Sequence, residues 1–490
     1  MSRGPLAGIN TKPIARVIGG LQLLIGGLML TSIPFSLYYK SGDARSFLVS
    51  GLICLTVGSL LWFTVPKDDL DIRKREGYLI VALGWLSMVL AGTLPYLISG
   101  VIPHPIDALF ETVSGMTTTG ASILTDIEVI PRGMLFWRSM TQWIGGMGII
   151  VLTVALFPLL GIGGIELFVA EAPGPTSDKL HPRIQETAKR LWFIYVGLTG
   201  VLTILLWVLG MSFYDAINHA LTTMATGGFS TKNASMAHFD QASIQYVIIF
   251  FMFVAGTNYT VIHHALRGRL SRVRRAEEFW AYLSVVLFLT GLITWNVIYN
   301  TNHSFEQSFR ESLFQVVSLI TTTGYVSADY SQWGDAALVL IFVMLFVGAC
   351  AGSTSGGIKL VRHIVFFKNS ILEFKRILHP RAIVPLKLNG GVVAPRIMTH
   401  IIIFLLLYLF IFVVGSVIVA AMGLDFTTAI GAVATSLGNV GPGIGGVGPV
   451  DNFAWLPYPV KFFLSFLMLL GRLELFTILV LFTPYFWKMN

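Results

Sequence analysis

The sequence predicts an all-α polytopic membrane fold: two N-terminal transmembrane helices, then four repeats of span, short loop and span around a pseudo-fourfold axis. Three observations predict it. Of 490 residues, 54 % are hydrophobic and only 12 % charged, with a mean hydropathy of +0.75, which is too apolar for a soluble chain of this size. Apolar runs of about twenty residues recur along the whole length. A short Thr/Gly string recurs four times, placing glycines at 120, 227, 324 and 441.

Taken in order, Arg3, Lys12 and Arg16 precede an apolar run over 17–39. That run is too long for a signal-peptide core and lacks a small-residue cleavage site, so it is expected to stay as the first span. Further spans read at 47–65, 77–100, 134–160, 191–211, 245–266, 279–299, 336–367, 397–422 and 460–487 make ten. The first two have no Thr/Gly loop between them and form a separate unit, 1–70. The other eight pair into repeats over 71–165, 166–270, 271–390 and 391–490. Sidedness follows from the basic residues, which collect on the cytoplasmic face. The proposed inner segments hold 25 of the 33 Lys and Arg, whereas the outer ones hold only Lys40, Arg45, Arg132, Lys232 and Arg310. Both termini are therefore expected in the cytoplasm, with all four loops entering from outside. Cys54 and Cys350 both lie in apolar runs, so neither a disulfide framework nor a thiolate metal site is implied.

The four strings are Thr117-Thr118-Thr119-Gly120, Met224-Ala225-Thr226-Gly227, Thr321-Thr322-Thr323-Gly324 and Gly438-Asn439-Val440-Gly441. Their composition is poor for crossing lipid but suited to exposing backbone carbonyls, as an ion filter requires: rings of carbonyl oxygens replace the water stripped from a cation. One chain with four loops can supply a whole ring, and one glycine per loop lets the backbone turn without strain. An acid precedes about three turns of small and apolar residues before each string: Asp107, Asp215, Glu311 and Asp425. Such segments read as pore helices, with the acid complementing the helix dipole and the carboxyl end facing the cation. The filter candidates are Thr118, Thr119, Gly120, Thr226, Gly227, Thr322, Thr323, Gly324, Asn439, Val440 and Gly441. The alternative is that these strings are tight helix-packing motifs.

Two features break the apolar pattern. The segment Gly348-Ala349-Cys350-Ala351-Gly352-Ser353-Thr354-Ser355-Gly356-Gly357 interrupts the span 336–367. Irregular backbone at membrane depth is tolerated only inside protein or beside a water-filled cavity, so the segment is read as a movable gate beneath the filter, or else as a glycine-mediated helix crossing. Lys359 follows it, placed to tether the loop to a carboxylate or to reach for the inner interface. Arg472 lies midway along the last span, where a charge costs roughly 3 kcal/mol on insertion scales. It is read as an electrostatic barrier lining the pore, with an ion pair to nearby Glu474 as the alternative. His104, His263 and His264 read as solvated span ends, and the arginines over 267–275 as markers of the inner face, of anionic lipid or of a docking partner.

Six strings together carry a resemblance: 115–121, 142–149, 227–231, 348–357, 437–443 and 471–476. Over essentially its whole length the chain resembles the Trk/Ktr/HKT superfamily of potassium transporters, in particular its bacterial TrkH/TrkG/TrkI branch, which the two extra N-terminal spans also fit. The resemblance implies a homodimer in the bacterial inner membrane and a cytosolic TrkA-type, NAD- and nucleotide-binding regulatory ring that opens the gate. It implies potassium as the transported ion, since a serine in place of the first filter glycine goes with sodium and here all four positions are glycine. Met224, Ala225 and the Gly-Asn-Val loop depart from the Thr-Thr-Thr pattern, so the ring is expected to be chemically uneven. No phosphate-binding Gly-x-x-x-x-Gly-Lys string occurs, which leaves nucleotide to the partner. No nucleic-acid partner and no cofactor are expected. Gated, passive potassium uptake is the first reading. Proton- or sodium-coupled symport is the second, disfavoured because only the span 336–367 reads as broken and coupled transporters break helices in both halves. A membrane-embedded transferase is the third, and it lacks the cluster of acids or histidines that catalysis would need, so the chain is not expected to be an enzyme.

Overall fold

The computed structural model describes residues 9–65, 74–160, 184–382 and 384–488. Residues 1–8 and much of the basic segments 67–75 and 179–190, on which sidedness partly rests, lie outside the described residues. The N-terminal unit is a helical hairpin in which α1 (Thr11–Leu30) turns through α2 (Ile33–Tyr38) into α3 (Ala44–Thr64). Its long helices meet at glycines: a Cβ on Gly19 would stand 2.9 Å from the Gly58 carbonyl oxygen, and one on Gly58 would stand 2.8 Å from that of Gly19. Close backbone approach drives association where lipid offers no hydrophobic gain.

Repeat 1 comprises α4 (Lys74–Ser99), α5 (Pro105–Met116) and α6 (Arg132–Leu160); repeat 2 comprises α7 (Ile184–Val208), α8 (Phe213–Met224), α9 (Ala242–Ala255) and α10 (Tyr259–Leu266). The short α11 (Leu270–Arg274) leads into repeat 3, made of α12 (Glu277–Asn300), α13 (Phe305–Ile320), α14 (Asp335–Met344) and α15 (Leu360–Leu378). A hairpin of β1 (Lys387–Leu388) and β2 (Gly391–Val392) precedes repeat 4, made of α16 (Pro395–Ala421), α17 (Phe426–Gly438), α18 (Tyr458–Arg472), α19 (Phe476–Leu479) and α20 (Pro484–Trp487). The hairpin turns at Asn389 and Gly390, whose φ angles are 51° and 79°, the residue pair that a tight primed turn demands.

Among the described residues, six helices are long and apolar enough to cross a membrane. Two further spans are sharply bent pairs: α9 and α10 meet at 109°, and α18 meets the segment 476–482 at 108°. The span 336–367 is broken between α14 and α15, as expected, and α6 carries non-helical angles at Gly148 (φ 62°, ψ 170°). The second span of every repeat is thus interrupted, which corrects the expectation of a single broken span. A break of a few residues at Gly148, at 256–258 or at 473–475 hardly lowers the average hydropathy of a window, so the apolar runs read as continuous.

The four short helices α5, α8, α13 and α17 are largely buried although only 12 to 16 residues long. Their starts differ in detail from the acid-first pattern. Ser304 caps α13 and Glu306 occupies its first turn, so Glu311 sits inside the helix, while Asp425 is the cap of α17 and accepts from the Thr428 N–H. The repeats close into a ring: α6 packs on α8, α9 on α13, and α18 returns to α5. Lys461 on α18 seals that last contact, donating to Asp107 Oδ1 at 2.8 Å while only 3 % exposed. One hydrophobic core joins the N-terminal hairpin to repeats 1 and 4, and a second fills repeats 2 and 3.

Candidate ion filter and gate

Each short helix ends in the same backbone figure. Thr118, Thr226, Thr322 and Asn439 have φ of 54°, 53°, 55° and 53°, and two residues later Gly120, Gly228, Gly324 and Gly441 have φ of 85°, 76°, 77° and 103°. Left-handed threonine is disfavoured because its branched Cβ crowds the backbone, and such strain persists only where the surroundings impose it. Here hydrogen bonds impose it. The N–H groups of Thr118, Thr226, Thr322 and Asn439 return to carbonyls of Gly115, Thr223, Leu319 and Ser436, and those of Thr119, Gly227, Thr323 and Val440 to Ser114, Thr222, Ser318 and Thr435.

This register moves one filter residue. The left-handed glycine of repeat 2 is Gly228, not Gly227, which occupies the place of Thr119, Thr323 and Val440 and lies outside the left-handed region. The string Thr226-Gly227 looks like Thr119-Gly120, but the spacing from Asp107 to Gly120 and from Glu311 to Gly324 recurs from Asp215 to Gly228. That shared spacing was the available signal.

The four loops interlock in cyclic order. A Cβ on Gly120 would lie 2.3 Å from the Gly227 carbonyl oxygen, on Gly228 1.9 Å from that of Thr323, on Gly324 2.0 Å from that of Val440, and on Gly441 2.7 Å from that of Thr119. Four backbone oxygens of equivalent residues therefore form one closed ring, although their side chains are Thr, Gly, Thr and Val. Beside it lies a cavity of about 90 Å³ whose lining includes Gly120, Gly228, Gly324 and Gly441 together with Arg138, Lys232 and Asp451.

Side-chain support alternates around the ring. In repeats 1 and 3, Thr117 pairs with Thr119 and Thr321 with Thr323 through hydroxyls 2.7 Å apart. Asn439 Nδ2 in repeat 4 donates to Thr119 Oγ1 at 3.0 Å and to the Met468 carbonyl at 2.9 Å. Repeat 2 has no hydroxyl at Ala225 or Gly227 to do the same.

The loop 348–357 lies against this assembly. Its neck is closed by Gly348 N–H to the Ile358 carbonyl (2.8 Å) and Leu360 N–H to that of Ala349 (3.0 Å). Glu278 Oε1 accepts from the N–H groups of Ala351 (2.7 Å) and Val361 (3.1 Å), and Cys350 N–H donates to the Gly256 carbonyl and Tyr259 N–H to that of Gly352. At its tip, Gly356 N–H donates to Thr322 Oγ1 at 2.6 Å, and Thr354 Oγ1 donates to the Met224 carbonyl at 3.1 Å. A Cβ on Gly356 would meet that of Asn439 at 2.7 Å. Ser353 Oγ lies 2.8 Å from Ser355 Oγ, and Lys359 Nζ bonds Ser355 itself. The loop thus touches filter-bearing segments of repeats 2, 3 and 4. Arg472 adds repeat 1: its guanidinium donates to the Thr354 carbonyl at 2.9 Å and to those of Gly145 (2.5 Å) and Gly146 (3.2 Å) on α6. Glu474 meanwhile pairs with Arg362.

All the filter candidates and the loop residues Thr354 and Gly356 therefore converge, and Arg472 reaches the loop. Residues not singled out from the sequence are Gly228, Glu278 and three buried groups behind the ring: Glu111, Arg138 and Gln142. Among the described residues, no group of three or more His, Cys, Asp or Glu could hold a metal ion; the groups offered to a cation are backbone oxygens.

A sequence model of the TrkH family, described as a cation transport protein, matches residues 44–489. The chain belongs to the TrkH family. Its relatives include the "Trk system potassium uptake protein TrkH" of Salmonella typhimurium, 41 % identical over 486 residues and covering 98 % of this chain and all of the relative. The TrkG protein of Escherichia coli K12 is 34 % identical over 98 % of this chain and 99 % of its own length. The crystal structure of the potassium transporter TrkH from Vibrio parahaemolyticus matches with a TM-score of 0.88 at 36 % identity, covering 98 % of this chain and all of that one. TrkH membership makes the chain a membrane transport protein and not a member of an enzyme family.

Proposed function

We propose that this TrkH-family chain takes potassium into the bacterial cytoplasm through a channel-like pore, selected at the carbonyl ring and gated by the loop 348–357. The observation that carries this reading is the closed ring of four equivalent carbonyls with a hydrogen-bonded glycine loop against it. A dehydrated cation needs oxygen ligands held at fixed distance, and backbone carbonyls pinned by helix-end hydrogen bonds supply them. The loop has small side chains and two left-handed glycines, Gly352 and Gly357, so it can change conformation without repacking bulky groups. Arg472 bridges the loop to α6 and places a positive charge at the cytoplasmic side of the ring, where it both holds the loop and opposes a cation.

The remaining parts of the reading are an inner-membrane location with both termini inside, a homodimer, and a cytosolic nucleotide-binding partner that releases the loop. They rest on family membership, the Lys/Arg distribution and the word "system" in the names of the relatives. The test is flux in liposomes containing this chain alone, with potassium, rubidium, sodium and lithium compared under an imposed voltage. Passive flow predicts a reversal potential set by potassium alone. A reversal potential that moves with the proton or sodium gradient would replace it with coupled transport, and flux without preference among the four cations would remove the filter.

A further inference from the structure

Three of the four repeats carry a buried polar side chain at one level of the pore helix, each reaching the chain just outside the filter. Glu111 accepts from Ser122 Oγ at 3.0 Å and Ile123 N–H at 2.9 Å, His219 Nε2 lies 2.9 Å from Ser230 Oγ, and Gln315 Nε2 donates to Ser327 Oγ at 3.3 Å. Repeat 4 has Ala432 there, and its outer strand rests on the helix backbone instead: a Cβ on Gly431 would lie 2.4 Å from the Ile444 carbonyl oxygen.

Repeat 1 differs from the others because its strut is ionic and crosses to the next repeat. Glu111 is 0 % and Arg138 3 % exposed, with Arg138 Nε 2.6 Å from Glu111 Oε1. The guanidinium continues to the Ser230 carbonyl at 3.1 Å and lies over the Phe229 ring, 3.5 Å from its centre. One turn further along α6, on the same helix face, the fully buried Gln142 grips the same strand. Its Nε2 donates to the Gly227 carbonyl at 2.6 Å and its Oε1 accepts from Phe229 N–H at 3.0 Å.

The Gly227 carbonyl belongs to the ring, and repeat 2, with Ala225 and Gly227 at the equivalent places, lacks the hydroxyl pair that braces Thr119 and Thr323 in repeats 1 and 3. We propose that Gln142, backed by the Arg138–Glu111 pair, is a positioning residue that sets the place of the Gly227 oxygen and thereby the discrimination of potassium from sodium. The missing support of repeat 2 is supplied from repeat 1. A ring oxygen gripped from behind resists closing in on a smaller cation, which is what rejecting sodium requires. Glycine at 227 fits the same design, since a Cβ there would stand 2.4 Å from the Gln142 side-chain carbon.

This inference rests on the filter reading above, and the experiment separates the two. The full chain is reconstituted in liposomes and the potassium-to-sodium permeability ratio is taken from the reversal potential with potassium on one side and sodium on the other. Gln142→Met, close in volume but without the amide, is expected to lower the ratio roughly five- to tenfold, the scale of one or two lost hydrogen bonds, while flux persists. Arg138→Lys keeps the charge opposite Glu111 but loses the fork to Ser230 and the flat contact with Phe229, and a drop of about two- to threefold is expected. If Gln142→Met does not assemble, Gln142→Asn, which withdraws the amide from the strand, is read by the same ratio. A wild-type chain that does not discriminate overturns the filter reading itself. A discriminating wild type whose folded Gln142 and Arg138 variants keep its ratio, losing only thermal stability, overturns the positioning role alone.

Discussion

Gly228→Ala is the sharpest test of the filter register, because Gly227→Ala next to it should behave differently. An alanine at 228 must hold φ near 76°, which costs an L-residue roughly 1–2 kcal/mol. Its Cβ would also stand 1.9 Å from the Thr323 carbonyl oxygen. Real contacts do not fall below 3.0 Å, so that oxygen must retreat by about 1.1 Å (3.0 less 1.9), and it is one of the four oxygens of the ring. Because the obstacle is backbone tied to Ser318, no side-chain rotation relieves it. At Gly227 the backbone is not left-handed, and the obstacle is the end of the Gln142 side chain. Yielding there loses its bond to the Gly227 oxygen, about 0.5–1.5 kcal/mol, or a few-fold in selectivity. Rubidium uptake into liposomes, normalised to folded protein, should therefore be nearly abolished by Gly228→Ala and persist with weakened potassium preference in Gly227→Ala. Equal loss in both, or a reversed order, would refute the register and the ring built on it.

Three further outcomes follow from the site. Deleting residues within 349–355 removes the Thr354 contacts to Met224 and Arg472 and should raise flux and make it less dependent on a cytosolic partner; reduced flux with intact folding would mark the loop as packing. Arg472→Ala should raise flux several-fold: at about 8 Å and an effective dielectric near 20 its charge opposes a cation by roughly 2 kcal/mol, and its bond to the loop at Thr354 and its two bonds to α6 are lost as well. Arg472→Lys should fall between Ala and wild type, since one ammonium keeps the charge but cannot span α6 and the loop as the fork does; a slow, poorly folded Ala variant would point to a structural role. At the start of α17, hydrogen bonds from the Thr428 hydroxyl and N–H hold the Asp425 carboxyl below its ordinary value of 3.8. A depressed pKa stabilises above the ordinary value and is lost as pH falls through the depressed one. Asp425→Ala should thus lower the thermal midpoint near neutral pH, with the gap closing below pH 3.8, whereas a gap independent of pH would remove the carboxylate's role.

Hydropathy and repetition determined the broad design. Lipid demands about twenty apolar residues per crossing, so the spans are visible in composition alone, and four Thr/Gly strings in one order mark four loops because each equivalent backbone meets the same steric demand. The interruption of the span 336–367 was legible for the same reason: ten small or polar residues over 348–357 cannot be a lipid-facing helix. Distances across the chain were not legible. Within the short string of repeat 2, Gly227 and Gly228 look equivalent; only the spacing from Asp215 separates them in the sequence, and the closed ring gives the physical reason, because the Thr323 oxygen occupies the place a Cβ on Gly228 would take. The breaks at 256–258 and 473–475 vanish in an averaged hydropathy because each spans only a few residues. Buried polar pairing was hidden most of all. Arg138, Gln142 and Lys461 read as isolated polar residues in or beside apolar runs, since their partners Glu111, Gly227 and Asp107 lie on other helices or, for Gly227, in the loop of another repeat, and only the folded ring brings charge to charge and amide to carbonyl.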